Sequence, residues 1–238
     1  MSTAAADSVV LVAGGTGGLG RAVTEALLAA GARVTVTYRS SAEFDALVHS
    51  VRAAERLQGR SVDVTDEPAV RQLVAELLAR HGRVDALVNT VGGYAGGQPL
   101  WSAEPGTLER MLQLNLRSTY VLARAVVPAM LQQAHGCIVA VAAKAAVEPP
   151  AGAAEYAAAK AAALALMASL AAELKGSGVR VNSILPSIID TPANRAAMPA
   201  AHFAKWPTPA QIAAVVRFLC SADASVIHGA AIPVYGNG

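Results

Sequence analysis

Seven short apolar runs punctuate this chain of 238 residues, each separated from the next by a longer helical pattern. They read SVVLVAG (8–14), ARVTVTY (32–38), RSVDV (60–64), VDALVNT (84–90), GCIVAVAA (136–143), VRVNSIL (179–185) and AAIPVY (230–235). The helical stretches run to Ala30, over 42–56, 67–82 and 107–133, from Glu155 to Gly176, and over 209–221. Crossovers of that length join parallel strands, and each helix they contain covers a face of the sheet. The pattern therefore predicts an α/β chain, a doubly wound parallel sheet of about seven strands with helices on both faces. No linker or internal repeat interrupts it, so residues 1–238 read as one domain. Pro68 in the first turn and Gly82 after the last mark the ends of the 67–82 helix. Pro128 is expected to bend the last turns of the 107–133 helix.

Composition bears on what such a domain binds. A formal net charge of +2 and no dense Lys/Arg block exclude nucleic acid as a partner. The start, MSTAAADSVV, has no basic stretch followed by an apolar one, so no secretory leader is expected. The apolar run at 157–172 is short, alanine-rich and bracketed by Lys160 and Glu173, which argues against a membrane span. Two cysteines are too few for a disulfide framework and point to a reduced, cytoplasmic setting. The five histidines are scattered, with no metal-ligand spacing.

The first run leads straight into AGGTGGLG, Ala13 to Gly20, where a helix begins. Glycines there let the backbone turn tightly and approach a pyrophosphate, which the free N–H groups of the helix terminus then hold. Gly14, Thr16, Gly18, Leu19 and Gly20 are the expected contacts. An acid at the end of the second run would select NAD by binding the ribose 2′-hydroxyl. That point reads TYRSSAEF, with no acid before Glu43. Arg39 and Ser40 stand there instead, and a guanidinium suits a 2′-phosphate. NADP is the favoured cofactor and NAD the alternative.

Tyr156 and Lys160 lie four residues apart in an alanine-rich helix, which places them on one face. A tyrosine beside an ammonium can donate a proton. A second hydroxyl usually helps such a donor hold its substrate, yet Cys137 to Glu155 contains no Ser or Thr.

Together these motifs resemble the short-chain dehydrogenase/reductase family over essentially the whole chain. Its T-G-x-x-x-G-x-G loop matches Gly14, Gly18 and Gly20, with Ala13 in the threonine place. Its aspartate after the third strand matches Asp63, followed by Val64, and the ends of its N-N-A-G turn match Asn89 and Gly92. Its helix asparagine matches Asn115, and its Y-x-x-x-K pair matches Tyr156 and Lys160. The resemblance implies a Rossmann fold and an NAD(P)-dependent oxidoreductase. In it Tyr156 donates the proton, and Lys160 holds the nicotinamide ribose and lowers the tyrosine pKa. Asn115 links Lys160 to solvent through water. Asp63, Val64, Asn89, Pro186, Ile189 and Thr191 also contact the cofactor, Ile189 through its backbone.

Two positions depart from the family. Its serine, thirteen residues before the tyrosine, is Ala143, and its P-G turn after the sixth strand is Pro186-Ser187. Three readings are open: a weakened enzyme, a substitute donor, or a substrate that needs no such donor. The segments around Ala143–Tyr156 and Asp190–Trp206 resemble the dihydropteridine reductase branch, which carries alanine then lysine at the serine place. That implies reduction of a pterin, quinonoid or imine-type acceptor, with Tyr94, Phe203 and Trp206 as candidates to pack on a flat ring. The alternatives are a general carbonyl or 3-oxoacyl thioester reductase, and a non-catalytic NADP-binding sensor or scaffold. A substrate lid is expected around 186–207, and a homodimer or homotetramer through the 107–133 and 155–174 helices.

Overall fold

The computed structural model describes residues 7–237. The leader reading rests partly on residues 1–6, which lie outside the described residues. Seven strands form one parallel sheet: β1 (Val9–Ala13), β2 (Arg33–Tyr38), β3 (Leu57–Ser61), β4 (Ala86–Asn89), β5 (Gly136–Val141), β6 (Val179–Pro186) and β7 (Ala231–Val234). Their order is β3-β2-β1-β4-β5-β6-β7. The winding reverses between β1 and β4, and in such sheets ligands bind beyond the carboxyl ends of the strands at that switch point.

Period-two alternation sorts the strand side chains onto the two faces. Val9 and Leu11 of β1 join Leu87 and Ile138 in one core cluster. Val10 and Val12 join Val34, Val36, Val88 and Val139 in the other. The first face is covered by α3 (Glu67–His81), α5 (Ser118–Gln133) and α6 (Ala154–Glu173), through Leu73, Leu77, Leu122, Met130 and Met167. The second is covered by α1 (Gly18–Ala29) and α8 (Pro209–Leu219), which pack on each other, and by α2 (Ser41–Ser50). α6 is the one helix among the described residues long and apolar enough to cross a membrane, with a mean hydropathy of 1.2. It packs against β6, and its two charged side chains nearest the site, Glu155 and Lys160, are buried in protein.

Three details depart from the sequence reading. The third strand begins at Leu57 and ends at Ser61, not over 60–64. Val62 and Val64 are β-branched and partly or fully buried, but the chain there turns about Asp63, whose carboxylate accepts from both the N–H and hydroxyl of Thr65 at 2.9 and 2.8 Å. The second helix stops at Ser50, with a separate 3₁₀ turn at Ala54–Arg56. The helix expected over 107–133 is divided, and not at Pro128. α4 (Thr107–Leu112) passes through a five-residue π turn, Gln113–Arg117, into α5, which continues past Pro128.

Candidate active site

The glycine loop is built so that only glycine fits at its tightest points. Gly14 has φ +73°, a left-handed conformation that side chains disfavour. A Cβ on Gly20 would overlap the Gly14 carbonyl oxygen, and one on Gly15 would overlap Val36. The loop is tied to β2 by Gly14 N–H donating to Thr37 Oγ1 at 3.0 Å. It is tied to β4 by the Thr90 hydroxyl, 2.7 Å from the Ala13 carbonyl. Gly17 caps α1 with no side chain, and the first turn of α1 carries no acid. The terminal N–H groups are therefore left to a ligand, and their dipole favours an anion. These residues fit a dinucleotide pyrophosphate. Leu19 is itself buried beneath the first turn.

At the end of β2, Arg39 is exposed and makes no hydrogen bond or ion pair among the described residues; its charge helps hold the Asp63 carboxyl below its ordinary value, after the hydrogen bonds from Thr65. Ser40 caps α2, its Oγ accepting from the Glu43 N–H at 3.4 Å. That first turn carries the Glu43 carboxylate onto the glycine loop, where Thr16 Oγ1 donates to it at 3.1 Å. Sequence reasoning placed Glu43 in the next helix and left it out of the site. Its position three residues past a Ser cap was the signal that its side chain turns back toward the loop.

The Asn89 side chain turns inward. It is 3 % exposed, donates to Thr119 Oγ1 at 2.9 Å and accepts from Val91 N–H at 3.0 Å, so it shapes the loop after β4. The π turn presents Asn115 to the same loop. Its Oδ1 accepts from Gly93 N–H and its Nδ2 donates to Gly93 O, both at 3.1 Å, and Nδ2 also reaches Met111 O at 3.0 Å. Gly92 lies between Asn115 and Lys160: a Cβ there would stand 2.8 Å from Asn115 Oδ1 and 3.1 Å from Lys160 Nζ. The two side chains thus close on the same side of Gly92, where a larger residue would meet both.

Helix α6 brings Tyr156 and Lys160 to the carboxyl end of β5. Lys160 is 5 % exposed and its ammonium donates to the Val141 carbonyl at 2.9 Å. Burial pushes its pKa down to about 8. Its Nζ is 6.0 Å from the centre of the Tyr156 ring. Tyr156 meets the edge of Tyr94, with ring centres 5.0 Å apart at 72°. Burial, and secondarily repulsion between the two phenolates, push the Tyr156 pKa up to about 12. The lowered tyrosine pKa expected from Lys160 is therefore corrected: with the ammonium drawn onto a sheet carbonyl, desolvation dominates both groups. Ala143 is buried at the end of β5, and the backbone there is extended.

The segment after β6 is folded rather than loose. Pro186 ends β6, and Ser187 Oγ donates to Tyr235 O at 2.7 Å. The Ile189 carbonyl accepts from Thr191 N–H and Asn194 Nδ2, and its own N–H has no partner among the described residues. Thr191 caps α7 (Pro192–Ala197), and a Cβ on Gly18 would stand 3.1 Å from its methyl, so this segment rests on the glycine loop. Phe203 and Trp206 do not join Tyr156. Their rings pack on each other at 5.1 Å and line a separate cavity of about 340 Å³ with Asp190 and α8.

Comparison with known proteins agrees with this geometry. Residues 8–201 match the family model described as short chain dehydrogenase. The chain is 32 % identical to the 3-oxoacyl-[acyl-carrier-protein] reductase FabG of Escherichia coli, with 96 % of each chain covered. It is 33 % identical to the 4-formylbenzenesulfonate dehydrogenase TsaC1/TsaC2 of Comamonas testosteroni, again over 96 % of each. The solved structure of NAD⁺-bound xylitol dehydrogenase superposes with a TM-score of 0.89 at 25 % identity, covering 97 % of this chain and 98 % of that one.

Proposed function

The chain belongs to the short-chain dehydrogenase/reductase family of oxidoreductases, and on that premise we propose that it reduces a flat, conjugated acceptor with Tyr156 as the proton donor. The observation that carries the chemistry is the half-buried Tyr156 with the buried Lys160 one turn on along α6, beside a glycine cradle at the switch point of the sheet. A bound reduced nicotinamide supplies the hydride. Gly14, Thr16, Gly18, Leu19 and Gly20 hold its pyrophosphate, and Asp63 and Val64 flank its adenine. Pro186, Ile189 and Thr191 enclose its nicotinamide end. The unpartnered Ile189 N–H is a ready donor to a carboxamide. Tyr156 gives its proton to the acceptor, and Lys160 and Asn115, which meet beside Gly92, relay a proton back to it from solvent. A phenol held at about 12 stays protonated at neutral pH, as a donor must.

Ala143 supports the acceptor class. In a simple ketone, charge grows on one oxygen, and losing one donor to it typically costs ~10²–10³ in rate. In a quinonoid dihydropterin, a quinone or a cyclic imine, the arriving electron pair spreads over the ring, and no hydroxyl is needed at residue 143. A second reading, reduction of a ketone or 3-oxoacyl thioester, is favoured by the printed activities of relatives such as FabG. For the cofactor, Arg39 supports NADP while Glu43 favours NAD. Exposed Leu108, Tyr120 and Leu131 along α4 and α5 support self-association as a homodimer or homotetramer.

The test follows NADPH and NADH oxidation with quinonoid dihydropterin, menadione, a cyclic imine, cyclohexanone and a 3-oxoacyl thioester. Turnover of the conjugated acceptors, lost by ~10²-fold or more in Tyr156→Phe, is the expected result. Turnover of the thioester alone replaces the first reading with the second. Tight cofactor binding without turnover of any acceptor leaves a nucleotide-binding sensor.

A further inference from the structure

Among the described residues, the side chain in ring contact with Tyr156 is itself a phenol. Tyr94 sits on the loop after β4, 67 % exposed, and its hydroxyl has no hydrogen-bond partner among the described residues. A large aromatic so exposed contributes little to the core. The loop is nevertheless shaped around it. A Cβ on Gly96 would overlap the Tyr94 hydroxyl, so residue 96 gives it room. The next residue, Gly97, donates its N–H to Gly152 O at 2.8 Å, which ties this loop to the turn before α6. Tyr94 is thus positioned against the helix that carries the proton donor, with a free hydroxyl and an open face.

We propose that Tyr94 is the second hydroxyl of the site and that it donates a hydrogen bond to a heteroatom of the conjugated acceptor other than the one Tyr156 protonates. The assignment rests on the acceptor class proposed above. A ketone concentrates charge at the atom that takes the proton, so its second donor belongs beside that atom, at residue 143. A conjugated ring carries the incoming electron pair to an oxygen or nitrogen several bonds away. Its second donor belongs a ring's breadth from the Tyr156 hydroxyl, on a neighbouring wall. The balance is simple. Hydride brings two electrons to the acceptor, Tyr156 loses one proton to it, and Tyr94 keeps its proton and holds the charge that migrates. The rise of the Tyr156 pKa, chiefly from burial and secondarily from Tyr94 when it is ionised, is consistent with the two rings sharing one pocket.

The experiment compares the intact enzyme with Tyr94→Phe, which keeps the ring, and Tyr94→Leu, which removes it, using menadione and cyclohexanone as acceptors. Tyr94→Phe is expected to lower kcat/KM for menadione by about tenfold or more. Its cofactor Kd should stay within about twofold of wild type, and any cyclohexanone rate should be unaffected. Wild-type rates in Tyr94→Phe overturn the proposal, as does a loss seen only in Tyr94→Leu, which would leave the ring as a wall without a donor. If the wild type reduces cyclohexanone but not menadione, the acceptor class fails and this assignment with it; the surviving Tyr156→Phe defect tells that case apart. Ultraviolet titration of the phenols gives a readout without turnover. Tyr94→Phe should move the late-ionising phenol to lower pH, and an unchanged titration means that the Tyr94 hydroxyl does not act on Tyr156, which counts against the proposal.

Discussion

The Lys160 ammonium is tied to the Val141 carbonyl, 2.9 Å away, and so anchors α6 to the carboxyl end of β5 before any ligand arrives. Its only strong partner among the described residues is neutral, and the charge is bought at the cost of its hydration.

That cost is expected to show in stability. Below about pH 8 folded and unfolded chains both hold the lysine proton, and the folded state bears the full penalty of burial. From about 8 to the ordinary lysine value of 10.5, the unfolded chain keeps a proton that the folded chain has shed, so stability rises with pH. From 10.0 to about 12 Tyr156 acts in the opposite sense, because the folded chain keeps a proton that the unfolded chain has lost. Lys160→Met should therefore stabilise the protein at pH 7 by about 1–3 kcal/mol, a gain that shrinks as the pH approaches 10. Thermal unfolding at three pH values checks this; a gain independent of pH would refute the assignment.

In the proposed cofactor site, Arg39 and Glu43 pull NADP/NAD selectivity in opposite directions. Arg39→Ala should weaken NADPH by about tenfold, the worth of a charged hydrogen bond, and NADH far less. Glu43→Gln removes a carboxylate that repels a 2′-phosphate and binds a 2′-hydroxyl, so it should tighten NADPH and loosen NADH by about threefold each. Fluorescence titration of the two reduced cofactors measures all four constants. Equal effects on both cofactors would dismiss either side chain as a selector.

Asn115 clamps both polar groups of Gly93. Asn115→Ala leaves these and the Met111 carbonyl without a side-chain partner, at an expected cost of about 1–3 kcal/mol. Hydrogen exchange at the Gly93 amide should quicken by more than global destabilisation explains. Exchange no faster than that of the β4 amides would show that the clamp is dispensable.

The sheet was legible because Val9 to Val12 alternate between two buried faces and because AGGTGGLG follows them directly. Tyr156 and Lys160 were legible from helical spacing alone. Three features were not, for identifiable reasons. Val62 and Val64 look like strand, but the Asp63–Thr65 turn takes their backbone out of the ladder with β2. Lys160 chooses a backbone carbonyl as its partner, and a backbone group leaves no mark in the sequence. Phe203 and Trp206 are aromatic residues in the expected lid, yet they turn toward α8, because each offers the other a better apolar surface than the open site does. Tyr94 was noticed as one ring among several, and only its contact with Tyr156 sets it apart.

The π turn at Gln113–Arg117 also works as a phase shifter. One residue of an α-helix is worth roughly 100° of rotation. The extra residue lets Met111 and Asn115 address the Gly93 loop while Thr119 and Leu122, farther along, address β4 and the sheet. Deleting a single residue there would restore an unbroken helix and leave its composition almost unchanged. It would also force one half to turn relative to the other, so that either the core face or the Asn115 clamp points the wrong way. The chain keeps a local irregularity so that one rod can serve two clients at different angles.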